Sequence, residues 1–316
     1  MARHRHALPQ LNGGLFLTDG GIETTLIFHD GLSLPYFAAF DLLKDEKGRE
    51  ALDRYFRSYA TIAHDHGVNL ILESATWRAS PDWGAKLGYS PEALAETNRA
   101  AIEQLVRIRS EFEKKGTTVL ISGCIGPRGD GYDPGAAMTP DDAQRYHSVQ
   151  AGIFAGSEAD MITAITMTNV EEAIGLTRAA EAAGMPVVIS FTVETNGTLP
   201  TGQALGEAIA AVDRATDRYP AYFMINCAHP THFDAVLKAG AQWVARIHGI
   251  RANASAKSHA ELNDSTELDI GNPAELSRQY RDLAVRHRQL NVFGGCCGTD
   301  HRHMLQVCEA CAPLFS

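Results

Sequence analysis

The sequence lacks several features that would assign it to a specialised class of protein. It contains no run of 18 apolar residues, which excludes a helical membrane span. No apolar segment follows the basic opening MARHRHALPQ, so we expect no secretory signal peptide. Arginine- and lysine-rich runs are missing, and 38 acidic against 28 basic side chains give a formal net charge of −10. The sequence therefore predicts a protein that binds neither membranes nor nucleic acid.

Cysteine is also scarce, with six in 316 residues, which is too few for a disulfide framework. We therefore expect a reduced, cytoplasmic protein. The chain has no G-x-G-x-x-G dinucleotide fingerprint, no Rossmann-type S-adenosylmethionine motif and no D-x-H-x-x-G cobalamin signature. It has no low-complexity segment or obvious linker either, which favours a single domain over 1–316.

What the chain does contain is a repeated alternation of short apolar runs and helical patterns. Eight runs rich in β-branched residues predict strands at 14–20, 69–74, 118–124, 160–166, 186–192, 221–227, 242–249 and 291–296. Helices are predicted between and after them at 48–66, 91–115, 140–157, 170–183, 203–217, 231–239, 273–288 and 300–311. Eight such units in about 300 residues predict an α/β fold, a single (β/α)₈ barrel of the TIM type.

Helix boundaries carry their own sequence signals. A capping residue precedes a proline at Ser90, Thr139 and Asn272, and a glycine stands at a predicted helix end at Gly67, Gly116, Gly184 and Gly240. These signals support the alternation and fix where the loops begin.

Polar and sulfur-containing residues cluster at the predicted carboxyl ends of the strands, where barrels of this kind carry their chemistry. Cys227 follows the sixth strand, and Cys296 and Cys297 follow the eighth inside the glycine-rich FGGCCGTD. Glycines permit the bend that two adjacent thiols need to face one point. Three thiolates without a fourth protein ligand suggest a catalytic zinc site with an open position. A disulfide between Cys296 and Cys297 and plain packing of buried thiols remain alternatives.

Asp19 and Gly20 stand in T-D-G-G at the end of the first strand, where a carboxylate faces the barrel mouth and glycine lets a ligand approach. Ser74 ends the second strand, Trp77 follows it, and Asn226 precedes the cysteine of the sixth strand. We select these five residues as candidates for substrate binding. The Trp77 ring suits a cationic ligand, although ordinary packing at the rim explains it equally well.

These motifs together resemble the homocysteine S-methyltransferase family over nearly the whole chain. GGCCGT (294–299) and INC (225–227) carry the resemblance most specifically, and DGG with Glu23, SATWRAS (74–80) and IGP (125–127) support it. The resemblance implies a barrel fold and a Zn²⁺ held by the three cysteines. It also implies a methyl transfer from a sulfonium or quaternary ammonium donor to a small thiol acceptor such as homocysteine, with Asp19 orienting the acceptor ammonium.

The chain departs from the family pattern in its amino-acid pocket. Ile165 appears at the position where relatives carry a glutamate for the homocysteine amino group, and Trp77-Arg78 replace other residues before Ala79-Ser80. The acceptor is therefore either homocysteine or a different thiol. A non-catalytic zinc- or thiol-binding relative is the alternative from another class of function. The methyl donor and the oligomeric state stay open.

Overall fold

Eight short strands pair in chain order, every pair parallel, and close into a barrel. The computed structural model describes residues 2–135, 137–237, 241–263 and 267–315. The strands are β1 Phe16–Leu17, β2 Asn69–Glu73, β3 Val119–Ile125, β4 Met161–Met167, β5 Val187–Thr192, β6 Tyr222–Asn226, β7 Ile247–Ala252 and β8 Val292–Gly295. The (β/α)₈ architecture predicted from the sequence is confirmed.

Helices surround the barrel because each βα unit needs a crossover that covers the apolar outer face of its strand. They are α1 Glu46–Asp65, α2 Pro81–Lys86, α3 Pro91–Glu113, α4 Pro140–Ala155, α5 Val170–Ala182, α6 Leu205–Ala215, α7 Pro230–Leu237, α8 His259–Asn263, α9 Pro273–Arg286 and α10 His301–Cys311. The short helices α2 and α8 were not predicted. Within the described ranges, no helix is long and apolar enough to cross a membrane.

The predicted helix signals are largely confirmed. Ser90, Thr139 and Asn272 accept hydrogen bonds from backbone N–H groups of the first turns of α3, α4 and α9. Gly67, Gly116 and Gly184 all have positive φ just beyond their helices, a backbone conformation that favours glycine. Gly240 and the last two residues of the helix predicted at 231–239 lie outside the described residues.

The seventh strand differs from its prediction. The segment 242–249 was predicted as the strand, but Gln242–Arg246 form a 3₁₀ helix and β7 runs from Ile247 to Ala252. The apolar residues before the strand imitate strand alternation although they pack as a turn of helix. The consequence is large, because Arg251 and not His248 stands at the carboxyl end of β7.

The amino-terminal segment covers one end of the barrel. Leu8 packs into the apolar cluster inside the barrel, and Gln10 donates a hydrogen bond from Nε2 to the Tyr222 hydroxyl at 3.4 Å. The Asn291 side chain donates to the Gln10 carbonyl at 2.8 Å. The covered end is the amino end of the strands, which leaves the carboxyl ends as the mouth of the barrel.

Candidate active site at the barrel mouth

Three cysteines meet at the mouth. Cys227 directly follows β6, and Cys296 and Cys297 directly follow β8. Their Sγ atoms all lie within 4.8 Å of one another, with Cys227 buried and the other two accessible to solvent. Residues 69 positions apart in sequence thus form one sulfur cluster, as the spacing of the motifs predicted.

Two of these thiols are joined in the structure. Cys227 and Cys296 form a disulfide with Cα atoms 5.3 Å apart, and Cys297 is free. The alternative of a disulfide between the adjacent Cys296 and Cys297 is therefore not what forms. A metal ligand must be a thiolate, so this disulfide and a metal site at the same sulfurs exclude each other.

The backbone around the cysteines is bent at specific positions. A Cβ atom on Gly294 or Gly295 would collide with the side chains of Thr18 and Thr299, respectively, so only glycine lets β8 lie this close to its neighbours. Beyond β8, the Cys296 amide donates to the Ala252 carbonyl at 2.9 Å, and the Cys297 amide donates to Asn253 Oδ1 at 3.1 Å. The glycines and these anchors explain how two adjacent sulfurs reach one point.

The sulfur cluster fits a zinc ion once the disulfide is reduced. Tetrahedral zinc with Zn–S bonds of about 2.3 Å requires sulfur atoms roughly 3.8 Å apart. All three sulfurs lie within 4.8 Å of one another, and reduction lets those of Cys227 and Cys296 separate to this spacing. Three thiolates leave the fourth position open, which is the arrangement of a catalytic site.

Two residues next to the cysteines were missed by the sequence analysis. The Tyr132 hydroxyl lies 3.0 Å from Cys297 Sγ, and the Tyr132 ring stacks on His259 with centroids 4.0 Å apart. His259 Nε2 lies 2.7 Å from the Cys227 carbonyl oxygen, and its Nδ1 lies 3.3 Å from Glu194 Oε1. Tyr132 and Glu194 lie in loops after strand ends, and His259 begins the short helix α8 beyond β7. A position beyond a strand end is the one signal that could have selected them.

The Asn226 side chain links three neighbouring strands beside Cys227 by hydrogen bonds. Its Oδ1 accepts from the Ser190 hydroxyl at 2.6 Å and from the Thr166 amide at 3.0 Å. Its Nδ2 donates to the Thr166 hydroxyl at 2.8 Å. Thr166 and Cys227 both have positive φ, 66° and 52°, which is costly for residues with a side chain. The Asn226 amide thus stabilises a bend in β4 and lies one residue before the Cys227 thiol.

Ser74 and Gly20 also lie at the mouth. The Ser74 hydroxyl is 2.6 Å from the Thr76 hydroxyl and accepts from the Cys124 amide at 3.0 Å, which ties β2 to β3. The Gly20 carbonyl accepts from the Tyr55 hydroxyl at 2.9 Å. Both candidates are buried and have partners inside the protein.

The Arg78 guanidinium group already covers one face of the Trp77 ring. The Arg78 guanidinium carbon lies 4.0 Å from the Trp77 ring centroid and 4.0 Å from that of Trp83. The Trp77 indole N–H donates to the Ile165 carbonyl at 3.1 Å. A cationic ligand would therefore have only the other face of the Trp77 ring.

Asp19 is paired with an arginine from the far side of the mouth. Arg251 Nη2 lies 2.6 Å from Asp19 Oδ1, and the Tyr55 hydroxyl donates to Asp19 Oδ2 at 2.8 Å. Both charged side chains are more than nine-tenths buried. The sequence analysis did not select Arg251, because it placed the end of β7 too early.

Two further carboxyl groups have perturbed acidity. Burial raises the pKa of Glu73 and of Glu23 to about 7 each, although the Arg251 charge opposes the shift at both. At neutral pH each group is therefore protonated about half of the time. The mouth holds carboxyl groups, but burial disfavours their ionised forms.

The motifs at this site are those of one family, and the match extends over the barrel. The sequence profile of the homocysteine S-methyltransferase family matches residues 16–311. The chain belongs to the homocysteine S-methyltransferase family. Comparison with curated protein sequences finds no significant match.

Solved structures of a homocysteine methyltransferase share the fold. The oxidized form of MmuM from Escherichia coli has a TM-score of 0.74 at 17% identity, covering 93% of this chain and 94% of that one. Its metallated form has a TM-score of 0.71 at 16% identity, covering 97% and 99%. At this level of identity the likeness establishes the fold.

Ile165 marks where this member of the homocysteine S-methyltransferase family departs from the expected amino-acid pocket. Its side chain is buried in the apolar cluster inside the barrel, together with Cys124 and Met161. The position expected to carry a carboxylate therefore contributes apolar surface. An acceptor ammonium would find no partner in this side chain.

Proposed function

We propose that the chain is a zinc-dependent S-methyltransferase, acting as one domain over 1–316. It would move a methyl group from a sulfonium or quaternary ammonium donor to a small thiol. The observation that carries the proposal is the cluster of Cys227, Cys296 and Cys297, whose sulfurs lie within 4.8 Å of one another at the barrel mouth. Membership of the homocysteine S-methyltransferase family supports it.

The three cysteines would hold the zinc ion, and neighbouring side chains would keep them in place. When bound, zinc supplies a positive charge that keeps the acceptor thiol ionised at neutral pH. Tyr132 hydrogen-bonds with the Cys297 sulfur, and His259 hydrogen-bonds with the Cys227 carbonyl oxygen. Such outer partners orient metal ligands and adjust their basicity.

The remaining candidates would shape the substrate pocket. Gly20 and Ser74 contribute buried polar backbone and hydroxyl groups, and Asn226 fixes the bend next to Cys227. Asp19 contributes a charged group, and Trp77 offers one ring face for the donor cation. Positioning is the main contribution, since an in-line approach to about 3–3.5 Å brings most of the rate gain.

The proposed step is a displacement at the methyl carbon of the donor. The acceptor S–H loses its proton, which leaves to solvent, and the sulfur lone pair forms a bond with the donor methyl carbon. The bond from that carbon to the donor sulfur or nitrogen breaks, and its electron pair stays on the leaving atom. The products are a methyl thioether and a neutral thioether or tertiary amine.

Zinc content and turnover test the proposal together. Reduced protein should bind one zinc per chain and methylate at least one thiol from a panel offered with S-methylmethionine or betaine. A C296A/C297A double variant should lose both properties, while Cys308→Ala, which changes a buried thiol of α10, should keep them. Full zinc occupancy in the double variant would refute the metal site. Zinc binding without methylation of any thiol would favour a non-catalytic relative.

A further inference from the structure

Arg251 is a buried cation at the mouth, and one of its nitrogens has no hydrogen-bond partner among the described residues. A guanidinium group carries five N–H donors. Nε donates to the Gly295 carbonyl at 3.2 Å, and Nη2 donates to the Gly20 carbonyl at 3.4 Å. Nη2 also forms an ion pair with Asp19 Oδ1 at 2.6 Å. Nη1 is buried and finds no hydrogen-bond acceptor in the described part of the chain. Two charged N–H donors thus remain unsatisfied inside the protein, which is costly unless a ligand completes them.

The position of Arg251 places these donors beside the sulfur cluster. β7 lies between β6 and β8, the two strands that lead into the cysteines. The Arg251 carbonyl accepts from the Cys227 amide at 3.1 Å, and the Gly295 carbonyl that Nε contacts belongs to the residue before Cys296. A ligand whose thiol sits at the cysteines therefore reaches the guanidinium with a short chain.

Burial and internal pairing weaken the attraction of this place for a cation. Asp19 already has Arg251 as its counter-ion, and burial holds Glu73 and Glu23 half protonated near neutral pH. Although burial opposes its charge, Asp19 and Glu73 keep the pKa of Arg251 above its ordinary value, so the guanidinium stays charged. Arg78, also buried, has an Nε without a hydrogen-bond partner.

We propose that Arg251 Nη1 binds the carboxylate of the acceptor, and that the preferred acceptor is a mercaptocarboxylic acid without an α-ammonium group. This inference rests on the proposed methyl transfer and adds the acceptor class. A carboxylate completes the unsatisfied donors of Arg251. An α-ammonium group, in contrast, has to compete with the internal Arg251 for Asp19 and meets the apolar Ile165 where a second carboxylate was expected.

Calorimetric titration of the reduced, zinc-loaded protein measures this preference without relying on turnover. The probes are mercaptoacetate, 3-mercaptopropionate and 4-mercaptobutyrate, with 1-propanethiol and homocysteine for comparison. At least one mercapto acid should bind ten- to a hundredfold more tightly than 1-propanethiol, the range expected for one charge-assisted hydrogen bond. The same acid should bind more tightly than homocysteine.

Two variants locate the effect at Arg251. Arg251→Met should remove the preference for the acid. Because the variant frees Asp19, the affinity for homocysteine should rise relative to that for the mercapto acids. A D19N/R251M double variant removes both members of the ion pair and should bind all the thiols alike. Arg246→Met is the matched control, because Arg246 pairs with Asp213 before β7 begins and should leave the selectivity unchanged.

Failure of the inference is separable from failure of the proposed function. Homocysteine binding more tightly than every mercapto acid, or selectivity unaltered in Arg251→Met, overturns the role of Arg251 even if methyl transfer occurs. If zinc and the mercapto acid bind as expected but no thiol is methylated, the carboxylate site stands and the methyltransferase proposal fails.

Discussion

At the scale of single residues, the side chains around the cysteines set the acidity of the proposed metal ligands. Cys297 is the free thiol of the cluster, and desolvation by the surrounding protein raises the pKa of that thiol. The Tyr132 hydroxyl is 3.0 Å away, and the Tyr132 ring is fixed by its stack on His259. A phenol O–H held in this way stabilises a neighbouring thiolate.

Removal of the Tyr132 hydroxyl tests this contact. Tyr132→Phe should lower the zinc affinity of the reduced protein about tenfold or more, the effect usual for an outer partner of a metal ligand. Competition with a chelator at fixed pH measures it. Tyr146→Phe is the control, because its hydroxyl bonds with Ser80 instead. Equal zinc affinities of both variants and the parent protein would show that the phenol has no such role.

At the scale of elements, the contact between β8 and β1 controls where the adjacent cysteines lie. β8 pairs with the two-residue strand β1, and Gly294 packs against Thr18. A Cβ at position 294 would also come within 2.9 Å of the Asp19 carbonyl oxygen. Because Gly294 has no side chain, β8 lies close enough to β1 to bring Cys296 to the sulfur cluster. The same close packing keeps Asp19 beside Arg251.

Gly294→Ala should disturb both functions of this contact. Overpacking should lower the free energy of unfolding by about 1–3 kcal/mol, and the shift of β8 should reduce zinc occupancy. Urea unfolding and metal analysis of the reduced protein measure the two effects. Gly152→Ala, on the exposed face of α4 with no atom within 4 Å of the new Cβ, should instead gain up to about 1 kcal/mol. A variant at 294 as stable and as zinc-rich as the parent would contradict the packing argument.

At the scale of the whole molecule, the buried carboxyl groups link stability to pH. The pKa of Glu73 is about 7 in the folded protein and lies near its ordinary 4.5 in the unfolded chain. The folded state thus binds the proton more tightly, and stability falls as pH rises from about 4.5 to 7. Above about pH 7, Glu73 no longer changes the free energy of unfolding with pH.

Glu73→Gln should remove this part of the pH dependence. Between pH 5 and 7.5 the metal-free parent should lose about 2 kcal/mol more of its free energy of unfolding than the variant does. Urea unfolding at the two pH values measures the difference, with the exposed Glu96→Gln as control. If the free energy of unfolding changes with pH equally in the parent and in Glu73→Gln, then Glu73 ionises normally in the folded protein.

The sequence predicted the barrel because every strand and helix repeats the same local signals. It also placed Cys227, Cys296 and Cys297 together, since their positions follow from strand ends and glycines. It misplaced β7, because the apolar residues of Gln242–Arg246 imitate a strand, and Arg251 was therefore overlooked. Tyr132 lies in a loop without periodicity and His259 begins the short, unpredicted helix α8, so only the folded chain shows that they meet.

The left-handed backbone of Cys227 has an evolutionary consequence. A non-glycine residue with φ of 52° costs about 1 kcal/mol or more, and such strain persists where function requires the side chain. As long as the thiol is selected for its sulfur, the lineage carries this cost. A descendant that no longer needed the sulfur would gain stability from glycine or asparagine at this position. Drift to either residue at position 227 would therefore be an early sign of lost metal chemistry.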